Sequence, residues 1–348
     1  MSIVGIIANP ASGKDIRRLV AFGSSFDNQE KVRIVRRVLL GLAAMGVDRI
    51  TYMQDYFGIV ERARERMPHP MEGAPVPFKP THSQEDSTRA GRMMADRKVA
   101  CIITLGGDGT NRAVAKGCGD TPILPISTGT NNVFPTMVEG TIAGLAASLL
   151  ATNRLSLEEA ACSTTSLEVF KNGKPFDMAL VDAAVYDDPF VGSRAIWEMG
   201  KVRQLFLNRA EPTSIGLSAI GGVFCSIAPD DPLGLCLGLG ENGRSVFAPI
   251  APGTIVEVKI EECRSFESGE EIPVTCSPSV LALDGEREID IRKGERFSLR
   301  LNLDGPVVMD AHKAMQSAMK KRLLAPDMPD DYSRISEANL FAKKNDKC

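Results

Sequence analysis

The 348-residue sequence has one tryptophan, four tyrosines and three histidines, and its charges nearly cancel: 41 Lys and Arg against 44 Asp and Glu give a formal net charge of −3. So even a balance supplies no electrostatic case for binding nucleic acid or an anionic membrane. Long hydrophobic runs are missing too. The stretch Ser2-Ile3-Val4-Gly5-Ile6-Ile7-Ala8 is apolar, but it lacks a basic flank and a cleavage site, so it reads as a buried strand rather than a signal peptide. No stretch reaches the ~18 apolar residues expected of a membrane span. His69, His82 and His312 are scattered, and the eight cysteines include no Cys-x-x-Cys pair, so neither a zinc site nor a disulfide framework is expected. These absences point to a cytoplasmic protein with free thiols.

What is present is a change of grammar near the middle of the chain. The first half alternates apolar strands (2–8, 50–53, 99–105, 122–126) with helical segments (31–44, 58–67, 86–97, 136–153), the pattern of a parallel sheet covered by helices. Residues 68–81 interrupt it with Pro68, Pro70, Pro75, Pro77 and Pro80, and are expected to form a surface loop without regular structure. Beyond 156 the segments are short, β-rich and separated by Gly, Pro or charged turns (166–170, 179–185, 255–260, 273–276, 280–283, 297–303), and Asn172-Gly173 marks a tight hairpin. Residues 310–324 read as an amphipathic helix stopped by Pro326, whose face of Ala314, Met315, Ala318 and Met319 needs burial against the first domain. The expected fold is an α/β N-terminal domain with a parallel sheet (1–155 plus 307–325), a β-rich C-terminal domain (156–306) and a polar tail (326–348).

The chemistry lies where strands end. Strand 99–105 runs into Gly106-Gly107-Asp108-Gly109-Thr110-Asn111 and then a helix. Backbone N–H groups at such a turn are unpaired, the helix dipole adds partial positive charge, and glycines let a phosphate approach closely. Asp108 is the odd member, because a carboxylate beside a phosphate is costly unless it binds Mg²⁺ or takes a proton from an attacking hydroxyl. A plain turn with Asp108 as helix cap is the competing reading. A second loop, Ser127-Thr128-Gly129-Thr130-Asn131-Asn132, follows the next strand, and a third, Asn9-Pro10-Ala11-Ser12-Gly13-Lys14, follows the first. Successive parallel strands deliver such loops to one edge of the sheet, where ligands of open α/β sheets bind. The third loop lacks the Walker A glycine spacing, although Lys14 can neutralise phosphate charge.

These three motifs together resemble the superfamily joining NAD kinases with diacylglycerol- and sphingosine-type lipid kinases. Residues 106–135 are most similar to the ATP-NAD kinase-like branch that includes acetoin catabolism protein X. The resemblance implies a phosphate- and nucleotide-binding set of Asn9, Ser12, Lys14, Gly106, Gly107, Gly109, Thr110, Thr128, Gly129, Thr130, Asn131 and Asn132, with Asp108 catalytic. In the second half, Val181-Asp182 stands where NAD kinases carry an Asn-Glu pair, which implies an acceptor-binding role for Asp182. Ser214 falls in a segment similar to their Gly/Ser/Thr-rich stretch, whose Thr-Gly-Ser-Thr core is not intact here, and is the second acceptor residue. Leu283-Asp284-Gly285-Glu286 is similar to the Asp-Gly-Glu turn of lipid kinases, implying Asp284 on the metal side and Glu286 as a catalytic carboxylate. A hairpin turn is the other reading of Asp284-Gly285.

The implied activity is transfer of the γ-phosphoryl of ATP, with Mg²⁺, to a hydroxyl, the adenosine ribose 2′-OH of NAD being the leading acceptor. The alternatives are another hydroxyl acceptor (a lipid, a polyol or an acetoin-pathway metabolite), or a non-catalytic NAD or nucleotide sensor of the same fold. Small-molecule substrates and a homo-oligomer are expected, with no nucleic-acid partner.

Overall fold

The computed structural model describes residues 3–13, 22–24, 26–68, 70–188 and 199–327, apart from the side chains of 287 and 288. Lys14 and most of the expected tail therefore lie outside the described residues. The first sheet has seven strands: β1 (Ile3–Ala8), β2 (Arg49–Tyr52), β3 (Glu72–Pro75), β4 (Ile102–Gly106), β5 (Ile123–Ser127), β6 (Ala161–Ser163) and β17 (Val307–Met309), in the order β3-β2-β1-β4-β5-β17-β6. All neighbours are parallel except β17 and β6.

Residues of alternate parity in each strand feed two different cores, as the pleat requires. Val4, Ile6 and Ala8 of β1, with Ile103 and Leu105 of β4, pack under α1 (Asn28–Ala44) and α5 (Gly140–Ala151). Ile7 and Ile102 face the opposite way, under α3 (Gln84–Asp96) and α4 (Asp108–Cys118). Both faces are covered, so the strands read as continuous apolar runs. Helices α1 and α5 nearly touch: a Cβ on Gly144 would lie 2.2 Å from the Val38 carbonyl oxygen. The short helices α2 (Ile59–Arg64) and α6 (Leu157–Ala160) complete the first half.

The second half is antiparallel. A six-stranded sheet runs β12-β11-β10-β9-β14-β15 and a four-stranded one β13-β16-β7-β8. Their strands are β7 (Ser166–Lys171), β8 (Lys174–Ala179), β9 (Asp182–Tyr186), β10 (Val202–Leu207), β11 (Leu233–Ala251), β12 (Thr254–Glu267), β13 (Glu271–Pro273), β14 (Ser279–Leu283), β15 (Glu286–Ile291) and β16 (Phe297–Asn302). Leu167, Val185, Phe206, Leu281 and Leu299 fill the space between the sheets, and helix α7 (Ser218–Gly222) covers the far face of the larger one. The Asn172-Gly173 hairpin joins β7 to β8 as expected, both residues having φ near +52 and +74. The last helix, α8 (Ala311–Lys320), returns to the first domain and buries Ala311, Ala314 and Ala318 in its core.

Five expectations need correction. Residues 68–81 are not wholly irregular, because β3 adds to the sheet edge, where one side of a strand is unpaired and Pro75 at its end costs no ladder bond. The helix expected over 136–153 starts only at Gly140, where the Glu139 carboxylate accepts from the Thr141 and Ile142 amides and caps it. Segment 179–185 breaks at Leu180-Val181 between two sheets. On α8, Met319 is 64% exposed, so the buried face runs through Ala311 instead. The long β11–β12 ribbon extends well beyond the segment expected at 255–260.

Candidate active site

Three strand-end loops of the first sheet meet at its carboxyl edge. From the β1 loop, the Asn9 amide donates to Thr110 Oγ1 at 2.9 Å, and the Ser12 hydroxyl lies 3.1 Å from Thr128 Oγ1. Thr130 Oγ1 accepts from the Ser24 amide at 3.1 Å, tying the β5 loop to the segment after the β1 loop. The Asn132 amide donates to Ser127 Oγ at 2.7 Å and to the Gly129 carbonyl at 3.3 Å, which folds the β5 loop on itself. Asn131 Oδ1 is buried without a hydrogen-bond partner, an acceptor available to a ligand N–H or O–H.

Beneath the β1 loop lies a residue that sequence reasoning missed. The Lys31 side chain is fully buried in the first turn of α1, and its ammonium donates to the Asn9 carbonyl at 2.9 Å, the Ser12 carbonyl at 2.7 Å and Asn28 Oδ1 at 3.3 Å. Its signal was a lysine in register with the apolar stripe Val35, Val38 and Leu42.

Two glycines of the β4 loop are held by close approach. A Cβ on Gly107 would lie 2.7 Å from Asn132 Oδ1, and one on Gly109 would lie 2.9 Å from Glu286 Oε1. Asp108 opens α4. Its carboxylate accepts from the amides of Phe134 (2.8 Å) and Val133 (3.1 and 3.2 Å) in the chain following the β5 loop. Burial, reinforced by the charge of Asp284, pushes this carboxyl up to about 7, against those amides and the Arg209 guanidinium.

The second domain contributes the hairpin between β14 and β15. Asp284 sits at its tip with φ +51, and its side chain is wholly enclosed. The carboxylate accepts from the amides of Leu180 (2.9 Å), Val181 (2.8 Å) and Asp182 (3.4 Å) and pairs with Arg112 Nε at 3.2 Å. Burial raises this carboxyl, while Arg112 and the amides favour its charged form. The turn is a hairpin, and its acid is an anchor that fastens the β8–β9 corner and the hairpin to α4. Three backbone N–H donors and a guanidinium already engage the Asp284 oxygens that were expected to face a metal. Glu286 is placed over Gly109 and accepts from the Gln84 amide at 2.9 Å, bridging the two halves of the molecule.

A small groove runs between Asp108, Asn131 and Val133 on one side and Asp182, Ile215 and Gly285 on the other. Asp182 is buried there, whereas Ser214 is half-buried beside Ile215 and does not line the groove. Val181 is buried in an apolar cluster with Phe134 and Leu180. Arg209 was also missed: it is 4% exposed, its Nε and Nη2 have no hydrogen-bond partner, and its guanidinium lies 5.1 Å over the Phe134 ring. Among the described residues no group of three His, Cys, Asp or Glu side chains could hold a metal, and the seven described cysteines are free. No described helix is long and apolar enough to cross a membrane.

Residues 4–154 match the ATP-NAD kinase N-terminal domain, and residues 165–304 match the acetoin catabolism protein X C-terminal domain. Acetoin catabolism protein X of Cupriavidus necator is 37% identical over 336 residues, spanning 92% of this chain and 94% of that protein. The crystal structure of yeast NADH kinase complexed with NADH has a TM-score of 0.50 at 15% identity, over 94% of this chain and 89% of that one, a likeness of fold. With an NAD kinase-like first domain and a relative this similar along nearly its whole length, the chain belongs to the acetoin catabolism protein X family.

Proposed function

We propose that the protein is an ATP-dependent kinase of a small hydroxyl compound, with the ribose 2′-hydroxyl of NAD as the leading acceptor. The observation that carries this reading is Asp108: a carboxyl at the mouth of a glycine-rich loop, at a helix N-terminus, whose proton affinity is raised to about 7. A general base works best when its pKa lies near the operating pH. In this role Asp108 takes the proton of the acceptor hydroxyl as the phosphoryl group moves to that oxygen. The amides of Val133 and Phe134 hold the carboxylate in place. Phosphoryl transfer needs positioning and charge neutralisation more than covalent chemistry. The backbone N–H groups at the start of α4, with Asn9, Ser12, Thr110 and Thr128, supply the positioning for the phosphates.

Mg²⁺ would neutralise phosphate charge. With Asp284 sealed, Glu286, whose carboxylate lies beside Gly109, is the residue that would hold it. One or two carboxylates plus substrate phosphates is the usual provision for Mg²⁺, so the residues fit an ion that arrives with the nucleotide.

One observation favours a second reading, in which the acceptor is a different hydroxyl compound. Val181 replaces the amide of the Asn-Glu pair and faces an apolar cluster, so Asp182 alone remains for a dinucleotide ribose. The test is an acceptor screen with γ-labelled ATP against NAD, NADH, a diacylglycerol, small polyols and buffer. Label in NADP supports the first reading, and label in another acceptor supports the second. No transfer to any acceptor, alongside a thermal shift with NAD, would reject the kinase in favour of a sensor.

A further inference from the structure

Four charged side chains crowd the head of α4: Asp108, Asp284, Arg112 and Arg209. Three of them have direct partners. Asp284 is paired with Arg112 Nε at 3.2 Å, and Asp108 accepts from the Val133 and Phe134 amides. Arg209 is the exception, because it is 4% exposed and its Nε and Nη2 have no hydrogen-bond partner.

Taking a guanidinium out of water with open donors is unfavourable unless a charge compensates it. Burial lowers the proton affinity of Arg209, and the charges of Asp108, Asp284 and Glu211 act against that, Asp108 most. Arg112 already engages Asp284, so Asp108 is the acid left for Arg209 to balance.

The backbone on either side of Arg209 is clamped. The Asn208 side chain donates to the Thr165 carbonyl at 2.9 Å, and Ala210 exchanges two backbone bonds with Ile227, at 3.0 and 2.7 Å. The guanidinium rests 5.1 Å over the Phe134 ring, an attraction that gains strength away from water. The backbone N–H of that same Phe134 makes the shortest bond to Asp108, at 2.8 Å. Arg209 therefore reaches Asp108 by two routes, through its charge and through the peptide that holds the carboxylate. It does not line the groove, so it would act on the chemistry without touching a substrate.

We propose that Arg209 is a positioning residue of this site: it seats the Val133–Phe134 peptide against Asp108 through the Phe134 ring and supplies the counter-charge of the Asp108 carboxylate. The proposal rests on the kinase reading, in which Asp108 takes a proton, and adds to it a residue outside the three strand-end loops. A merely structural arginine packed on a ring would support the fold whatever the charge at position 108.

The experiment compares two variants of the full chain. Arg209→Met keeps the length and removes the charge, whereas Arg209→Lys keeps the charge and gives up the planar group. Steady-state transfer from Mg-ATP at pH 7 is measured to NAD, or to whichever acceptor takes label in the screen above. An opposite charge favours the ionised carboxyl by a pH unit or more, so kcat in Arg209→Met should fall about five- to tenfold with KM unchanged for both substrates. Arg209→Lys should recover most of that loss. Urea midpoints at pH 8 give a readout that needs no turnover. Arg209→Met should lower the midpoint more in the wild-type background than in Asp108→Asn, which has no charge to balance. Equal losses in the two backgrounds, or a lysine variant as slow as the methionine one, overturn the proposal and leave the kinase reading in place. A raised KM with kcat unchanged moves Arg209 to substrate binding and overturns it as well. Where Arg209→Met does not fold, Arg209→Lys decides: kcat near the wild-type value supports the proposal, and a loss of about tenfold overturns it. No transfer by wild type to any acceptor removes the kinase reading, and this inference with it.

Discussion

Replacing Asp108 by Asn separates what the carboxyl does for turnover from what it costs the fold. Its folded-state pKa of about 7 lies above the ordinary value of 3.8. Between these values the native protein holds a proton that the unfolded chain has released. The wild type therefore loses stability as pH rises from about 4 to about 7 and levels off above that. Roughly three pH decades at about 1.4 kcal/mol each set an upper limit of about 4 kcal/mol on this cost. Asparagine carries no charge, and its carbonyl can still accept from the Val133 and Phe134 amides. Arg209 loses a counter-charge in the exchange, which takes back part of the gain. Urea unfolding should thus show the variant more stable by an amount on the order of 1–4 kcal/mol at pH 8 and by about half as much at pH 5.5. Phosphoryl transfer should fall by ~10²–10⁴-fold, the usual contribution of a general base. Wild-type turnover in the variant would remove Asp108 from the chemistry. A stability gain equal at both pH values, or absent, would refute the buried-carboxyl argument.

Three further substitutions test the surroundings. Val181→Asn places an amide among Phe134 and Leu180, so urea unfolding should show a loss of about 1–3 kcal/mol and an NAD turnover assay no gain. Asp284→Asn removes the nearer charged partner of the buried Arg112 guanidinium, leaving Asp177 at 3.9 Å, and unfolding should record a loss of up to about 3–5 kcal/mol. Gly109→Ala meets only the mobile end of Glu286, so calorimetry should show stability kept or raised by about 0.5–1 kcal/mol while turnover drops, since Glu286 must move.

Much of the first domain was legible because its signals are local. The run Ile102–Thr110 spells strand, turn and helix in nine residues, and β1 reads as one continuous apolar run, as a strand buried on both faces does. The contacts that complete the site are not local. Asp284 meets Arg112, and Glu286 meets Gln84, across separations of 172 and 202 residues. No spacing rule reaches that far, so Asp284 looked like a metal ligand when its oxygens were already engaged. The substitution at Val181 was visible in the sequence, but whether an amide could be tolerated there depended on Phe134, whose position only the fold supplies.

The return of the chain at β17 and α8 sets an order on biosynthesis. Strand β5 gains its outer neighbour only when Val307–Met309 arrive, and the floor beneath α5 and α6 is finished by Ala311, Ala314 and Ala318. A growing polypeptide emerges from the ribosome amino end first. The N-terminal half is thus translated first but completed last, after the whole β-rich half has been made. Until then it carries an open strand edge beside an uncovered apolar surface, the kind of feature on which nascent chains aggregate. Chaperone occupancy during synthesis should accordingly persist until the codons for α8 have been read and its residues have cleared the exit tunnel.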